Sequence, residues 1–69
     1  MNEPALFLRE PHYDILIDDA DGKKLWLESL PDLESARKRL PLLAAEYPGM
    51  RLVLWHRKTQ TVLAATEGY

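Results

Sequence analysis

The sequence predicts an α+β fold of ββαββ order, in which a four-stranded, largely antiparallel sheet carries one helix packed across one face. Three observations support this prediction: alternating runs around an aspartate–glycine turn, an apolar stripe at helical spacing, and two short apolar runs near the C-terminus. The 69 residues suffice for one small domain. We expect residues 12–69 to form it, after an extended or partly disordered N-terminal segment over residues 1–11.

The first hairpin is predicted by two alternating runs on either side of Gly22. A two-residue turn at Asp21-Gly22 and a bulged type I turn over residues 19–22 give different strand registers. The bulged turn separates apolar from polar side chains better, so we prefer it. Its predicted pairs are Ile17 with Leu25, Ile15 with Leu27, Asp18 with Lys24, Leu16 with Trp26 and Asp14 with Glu28.

The helix is predicted by an N-cap, an apolar stripe and a stop signal. Asp32 is a favourable N-cap, and Glu34 complements the helix dipole in the first turn. Pro48-Gly49 ends the segment. Leu42 falls outside the stripe, so we expect it to be exposed. The stripe consists of Leu33, Ala36, Leu40, Leu43, Ala44 and Tyr47.

The second hairpin joins an apolar strand over residues 50–57 to a shorter one over residues 61–66. Its connection contains no glycine, so its turn type and register stay open. Two alternatives therefore remain for the helix-facing pair of the third strand: Leu52 with Leu54, or Val53 with Trp55.

The sheet face away from the helix is predicted to be apolar as well, because one helix covers only one face. An exposed apolar patch of this kind is typical of a protein–protein contact. A chain this small has a limited core, and without cysteine it cannot add a disulfide. We therefore predict a protein-interaction module that pairs with itself as a homodimer, or with another protein, unless residues 5–8 cover the face. Its contact residues would be Leu16, Trp26, Val53 and Trp55.

The stretch DDADGKKLWLE has several features of a calcium-binding loop. However, Ile17 stands at the first ligand position, and the flanking residues alternate as strands where such a loop requires helices. We therefore interpret the stretch as a hairpin turn. The residues at matching positions are Asp19, Asp21, Gly22 and Glu28.

Other candidates for chemistry are isolated residues. His12 and His56 could share a metal with Asp14, but their spacing is not that of a metal site. Ser29 lies near the start of the helix, where a capping or turn role is expected. A carboxylate pair of Asp14 and Glu28 would have no pocket around it. We predict no catalytic residues, no metal and no cofactor.

Single-stranded nucleic acid is the alternative partner. Arg51, Arg57 and Lys58 accompany Trp55 and His56 on the second hairpin, and aromatic rings on an open sheet can stack unpaired bases. The isoelectric point near 5.6 argues against a strong basic footprint. No apolar run approaches the roughly 20 residues that cross a bilayer. We expect a cytoplasmic protein with no membrane partner.

The run YDILIDDADGKKLWLESLPDLESARKRL, followed by PGMRLVLWHRKTQTVLA, resembles short bacterial proteins of unknown function. The resemblance covers residues 13–64 and rests on turn, cap and core residues. It implies the ββαββ fold and no particular activity. The final hairpin of such proteins often contains a glycine where this chain has Gln60.

Overall fold

The computed structural model describes residues 12–66. Its elements are β1 (Tyr13–Asp18), β2 (Lys24–Leu30), α1 (Leu33–Glu46), β3 (Leu52–His56) and β4 (Thr61–Ala65). The four strands form one antiparallel sheet in the order β2-β1-β3-β4, and α1 packs on one face of it. The predicted ββαββ fold is therefore confirmed. Residues 1–11, for which we predicted an extended segment, and residues 67–69 lie outside the described part.

The two alternatives for β3 are resolved in favour of Leu52 and Leu54 as the residues facing α1. Both are buried, and both pair with isoleucines of β1. Because successive side chains of a strand point to opposite faces, Val53 and Trp55 lie on the side away from α1. The helix-side core consists of Ile15, Ile17, Leu52, Leu54, Ala36 and Leu43.

The first hairpin turn has the predicted bulged geometry. The backbone N–H of Gly22 donates to the carbonyl of Asp19 over 2.9 Å, and the N–H of Asp19 donates to the carbonyl of Lys23 over 2.8 Å. Gly22 has a φ of +85°, the left-handed conformation that this turn requires at its last position. The side chain of Asp19 accepts a bond from the N–H of Asp21 within the same turn. The calcium-like stretch is therefore a hairpin turn, as we interpreted it.

A second bulge in β2 changes the predicted register. Trp26 pairs with Leu16 and Glu28 pairs with Ile15, so Leu27 is an extra residue. The predicted pairs of Ile15 with Leu27 and of Asp14 with Glu28 are therefore wrong. The bulge lets Leu27 pack against the core, while the Glu28 carboxylate accepts a 2.6 Å bond from Arg39 of α1.

Helix α1 begins where the N-cap signal predicts. Asp32 accepts a 2.7 Å hydrogen bond from the N–H of Ser35. Leu42 is exposed as expected. The prediction fails at the C-terminal end, because Tyr47 is an exposed C-cap residue rather than part of the buried stripe. The chain turns away through Gly49, which has a φ of +84°.

The second hairpin turns through residues 57–60 without a glycine. The N–H of Gln60 donates to the carbonyl of His56 over 2.7 Å, and Gln60 itself adopts a φ of +56°. Beyond the turn, Val62 pairs with Trp55 and Ala64 pairs with Leu54, so Leu63 is an extra residue in β4. The left-handed glutamine thus takes the place that glycine often fills in such hairpins.

Candidate interaction surface

The sheet face away from α1, which we call the open face, brings together the four predicted contact residues. Leu16 of β1 pairs with Trp26 of β2 on one side and with Val53 of β3 on the other. Trp55 belongs to the same face because it alternates with the buried Leu54. The four residues therefore form one contiguous group across three strands.

The members of this group differ in accessibility. Trp26 is 58% exposed, whereas Leu16 and Trp55 are half-buried. Val53 is only 2% exposed, so it offers a partner almost no contact area. Val62, which pairs with Trp55, is exposed on the same face and was not predicted. The sequence could not reveal it because the register of the second hairpin was open.

A polar network crosses the open face beside these residues. The Arg57 guanidinium donates to both carboxylate oxygens of Asp14, from Nη2 to Oδ1 over 2.6 Å and from Nε to Oδ2 over 3.0 Å. The Ser29 hydroxyl lies 2.6 Å from Asp14 Oδ1. Ser29 Oγ also accepts bonds from Trp26 Nε1 over 3.0 Å and from Arg57 Nη2 over 3.1 Å. The network thereby links β1, β2 and the end of β3.

The direction of the Ser29 hydroxyl follows from its neighbours. Indole and guanidinium nitrogens only donate hydrogen bonds, and an ionised carboxylate only accepts them. The hydroxyl must therefore donate to Asp14 while it accepts from Trp26 and Arg57, which uses its one hydrogen and both lone pairs. Ser29 is therefore hydrogen-bonded to all three other members of the network. The capping role that its sequence position suggested is wrong, because it lies within β2 and Asp32 caps α1.

The charge of Asp14 is stabilised although the residue is only 7% exposed. The Arg57 hydrogen bonds lower the pKa of the Asp14 carboxyl from its ordinary value, against burial, which raises it, and the Ser29 hydroxyl lowers it further. The hydrogen bonds therefore favour the ionised form of Asp14, which accepts the bonds from Arg57 and Ser29.

A second set of ion pairs lies toward the other end of β1. Asp18 binds Arg51 over 3.0 Å and Lys24 over 3.4 Å. An open cleft of about 330 Å³ adjoins this set, but Asp18 and Arg51 already form an ion pair with each other. Its lining residues are Asp18, Asp19, Ala20, Gly49, Met50 and Arg51.

These ion pairs bear on the predicted nucleic-acid contacts. Arg57 is bound to Asp14 and Arg51 is bound to Asp18, while Lys58 is an exposed turn residue. Nucleic-acid affinity comes chiefly from cations that neutralise phosphates. Two of the three predicted cations already have carboxylate partners, so nucleic-acid binding stays a prediction without added support.

His12, His56 and Asp14 do not form the metal site that we considered from the sequence. His56 lies on the helix side, where its ring stacks on Tyr13 at 4.9 Å and its Nδ1 lies 2.7 Å from Thr59 Oγ1. Asp14 points to the open face. Within residues 12–66, no group of three or more potential metal ligands comes together.

Comparison with protein-family models, with curated proteins and with solved structures found no match. The resemblance to short bacterial proteins therefore stays a prediction. In the part of the chain that the structure describes, no helix has the length and apolar character required to cross a membrane.

Proposed function

We propose that this chain is a small protein-interaction module that self-associates through its open face. The observation that carries the proposal is the exposure of Trp26, at 58%, next to Leu16 on a face that α1 does not cover. Val62 is exposed on the same face, on the opposite edge strand. Tryptophan is among the residues that most often dominate the energy of protein interfaces. The proposal contains no catalytic step, and it includes the predicted cytoplasmic location.

The charges on the open face support a second copy of the chain as the partner. Asp14 is paired with Arg57, and Asp18 is paired with Arg51 and Lys24. A surface of unpaired like charges would repel its own copy in a symmetric dimer, where the same patch meets itself. Here both carboxylates are paired with cations within each copy, which reduces that repulsion between the two faces.

The size of the face indicates a weak dimer. Four strands spaced ~4.8 Å apart and about 20 Å long give a face of roughly 400 Å² in each copy. Two such faces bury roughly 800 Å², which is below the ~1,200 Å² at which standard interfaces begin. We therefore expect association in the micromolar to millimolar range.

Sedimentation equilibrium from low micromolar to millimolar concentration tests the proposal. The wild-type mass should rise from 8.0 kDa toward twice that value as concentration increases. Trp26→Lys should remain monomeric, because it replaces the exposed indole of the contact with a charged side chain. Leu42→Lys is the matched control, since Leu42 is 56% exposed but lies on α1. A wild-type mass of 8.0 kDa at every concentration, or equal effects of both substitutions, would refute the proposal.

A further inference from the structure

We infer that Ser29, held by Asp14 and Arg57, is a positioning residue that fixes Trp26 as a pre-oriented anchor for the second copy of the chain. This inference rests on the proposed function, and it adds which side chain carries the contact and what holds it in place. The juxtaposition behind it is an exposed indole whose N–H is bonded to a hydroxyl with no remaining hydrogen-bonding capacity.

Trp26 would ordinarily be free to rotate. More than half of its surface is exposed, and exposed side chains change rotamer on the picosecond to nanosecond timescale. Its Nε1, however, donates to Ser29 Oγ over 3.0 Å. The Ser29 hydroxyl cannot rotate together with the indole, because it also bonds the nearly buried Asp14 and the guanidinium of Arg57. The indole is therefore tied to the centre of the sheet.

The bulge at Leu27 makes this arrangement possible. Without the extra residue, strict alternation would place Glu28 on the same face as Trp26 and turn Ser29 toward α1. With it, Ser29 becomes the partner of Asp14 on the open face. Bulges commonly re-aim a side chain at a functional surface. In β2 the bulge redirects two side chains. Ser29 now bonds the Trp26 indole on the open face, and Glu28 now binds Arg39 of α1.

A fixed indole strengthens association because less conformational freedom is lost on binding. Immobilising one flexible side chain at an interface weakens binding by a factor of about three to ten. If the network has already ordered Trp26 in the free chain, that loss is avoided. Removing the hydroxyl should then weaken the dimer by about the same factor while leaving the apolar contact area almost unchanged.

The test compares Ser29→Ala with Ser29→Thr in the full chain. Sedimentation equilibrium gives the dimer dissociation constant, and urea unfolding shows that each variant is folded. Ser29→Ala should raise the constant about three- to tenfold, whereas Ser29→Thr, which keeps a hydroxyl, should stay close to wild type. In the monomer, hydrogen exchange of the Trp26 indole N–H should become faster in Ser29→Ala only.

A double-mutant cycle separates positioning from general stability. Trp26→Phe keeps an aromatic ring but has no N–H, so adding Ser29→Ala to it should change the dissociation constant no further. An equal loss in both backgrounds would show that Ser29 does not act through the indole and would overturn the inference. If Trp26→Lys abolishes the dimer but Ser29→Ala leaves its constant unchanged, the inference is wrong and the proposed function stands. A monomeric wild type would refute both.

Discussion

Replacing Arg57 with methionine should destabilise the fold considerably more than the same replacement at Arg51. Both arginine side chains are 46% exposed, and each binds an aspartate of β1. The aspartates differ: the side chain of Asp14 is 10% exposed, whereas that of Asp18 is 25% exposed. Asp18 also keeps Lys24 as a second partner after Arg51 is replaced. The pair of variants therefore compares a nearly buried carboxylate that loses its arginine with a more exposed carboxylate that keeps a second cation.

The magnitude follows from the hydrogen bonds that are lost. Arg57 donates two bonds to Asp14 and one to Ser29, whereas the bond from Ser29 to Asp14 does not involve Arg57. Hydrogen bonds to charged groups contribute about 1.5–3 kcal/mol, and stranding a buried charge costs more. Because the guanidinium is half exposed, we expect a loss of about 2 kcal/mol for Arg57→Met, which lowers the Tm by about 10 °C in a domain of this size. Arg51→Met breaks a surface pair and should lose less than about 1 kcal/mol.

Urea and thermal unfolding followed by circular dichroism measure this difference, and its pH dependence supplies an independent check. The lowered pKa of Asp14 means that its charge stabilises the folded state above the ordinary carboxyl pKa, and that this contribution disappears as pH falls through the lowered value. The gap between wild type and Arg57→Met should therefore narrow as the pH falls below the ordinary carboxyl pKa. Equal losses for the two variants at pH 7, or a gap that persists in acid, would refute the reasoning.

Three further predictions concern the turns and the cap, all measured by urea unfolding. Gln60→Gly should stabilise the fold by about 0.5–1 kcal/mol, because Gln60 has a φ of +56°; a lower midpoint would contradict this. Gly22→Ala should cost about 1 kcal/mol through backbone strain alone, since a Cβ there meets nothing within 4 Å; an unchanged midpoint would show that the turn relaxes. Asp32→Ala should lower the midpoint by removing the 2.7 Å cap to Ser35, and Asp32→Asn, a comparable cap, should restore it.

The sequence and the structure agree where local rules act alone. The bulged turn at Gly22 follows from hairpin chemistry, and the cap at Asp32 follows from the need to satisfy backbone N–H groups at a helix start. Each depends on a few neighbouring residues. The same is true of the apolar alternation that placed Leu16 and Trp26 on one face. These features could be predicted because the chain specifies them over short distances.

The disagreements arise where distant segments compete for the same position. Strict alternation past Trp26 would pair Asp14 with Glu28. Instead Leu27 packs against the core and Glu28 binds Arg39 of α1, and both contacts require a bulge in β2. Neither influence is visible within β2 itself. The predicted register places two acids, Asp14 and Glu28, opposite each other, and like charges in that position are destabilising. This was a sign of the conflict, although it did not indicate how the chain resolves it.

The sequence by itself determined the element order, the first turn, the start of the helix and an apolar face opposite it, because periodicity and capping are local properties. Only the tertiary structure decided that β1 lies between β2 and β3, which brings Arg57 to Asp14 from 43 positions further along the chain. That strand order placed Ser29 against the same carboxylate. The network that holds Trp26 could not be predicted because its members meet only after three strands have paired and one has bulged.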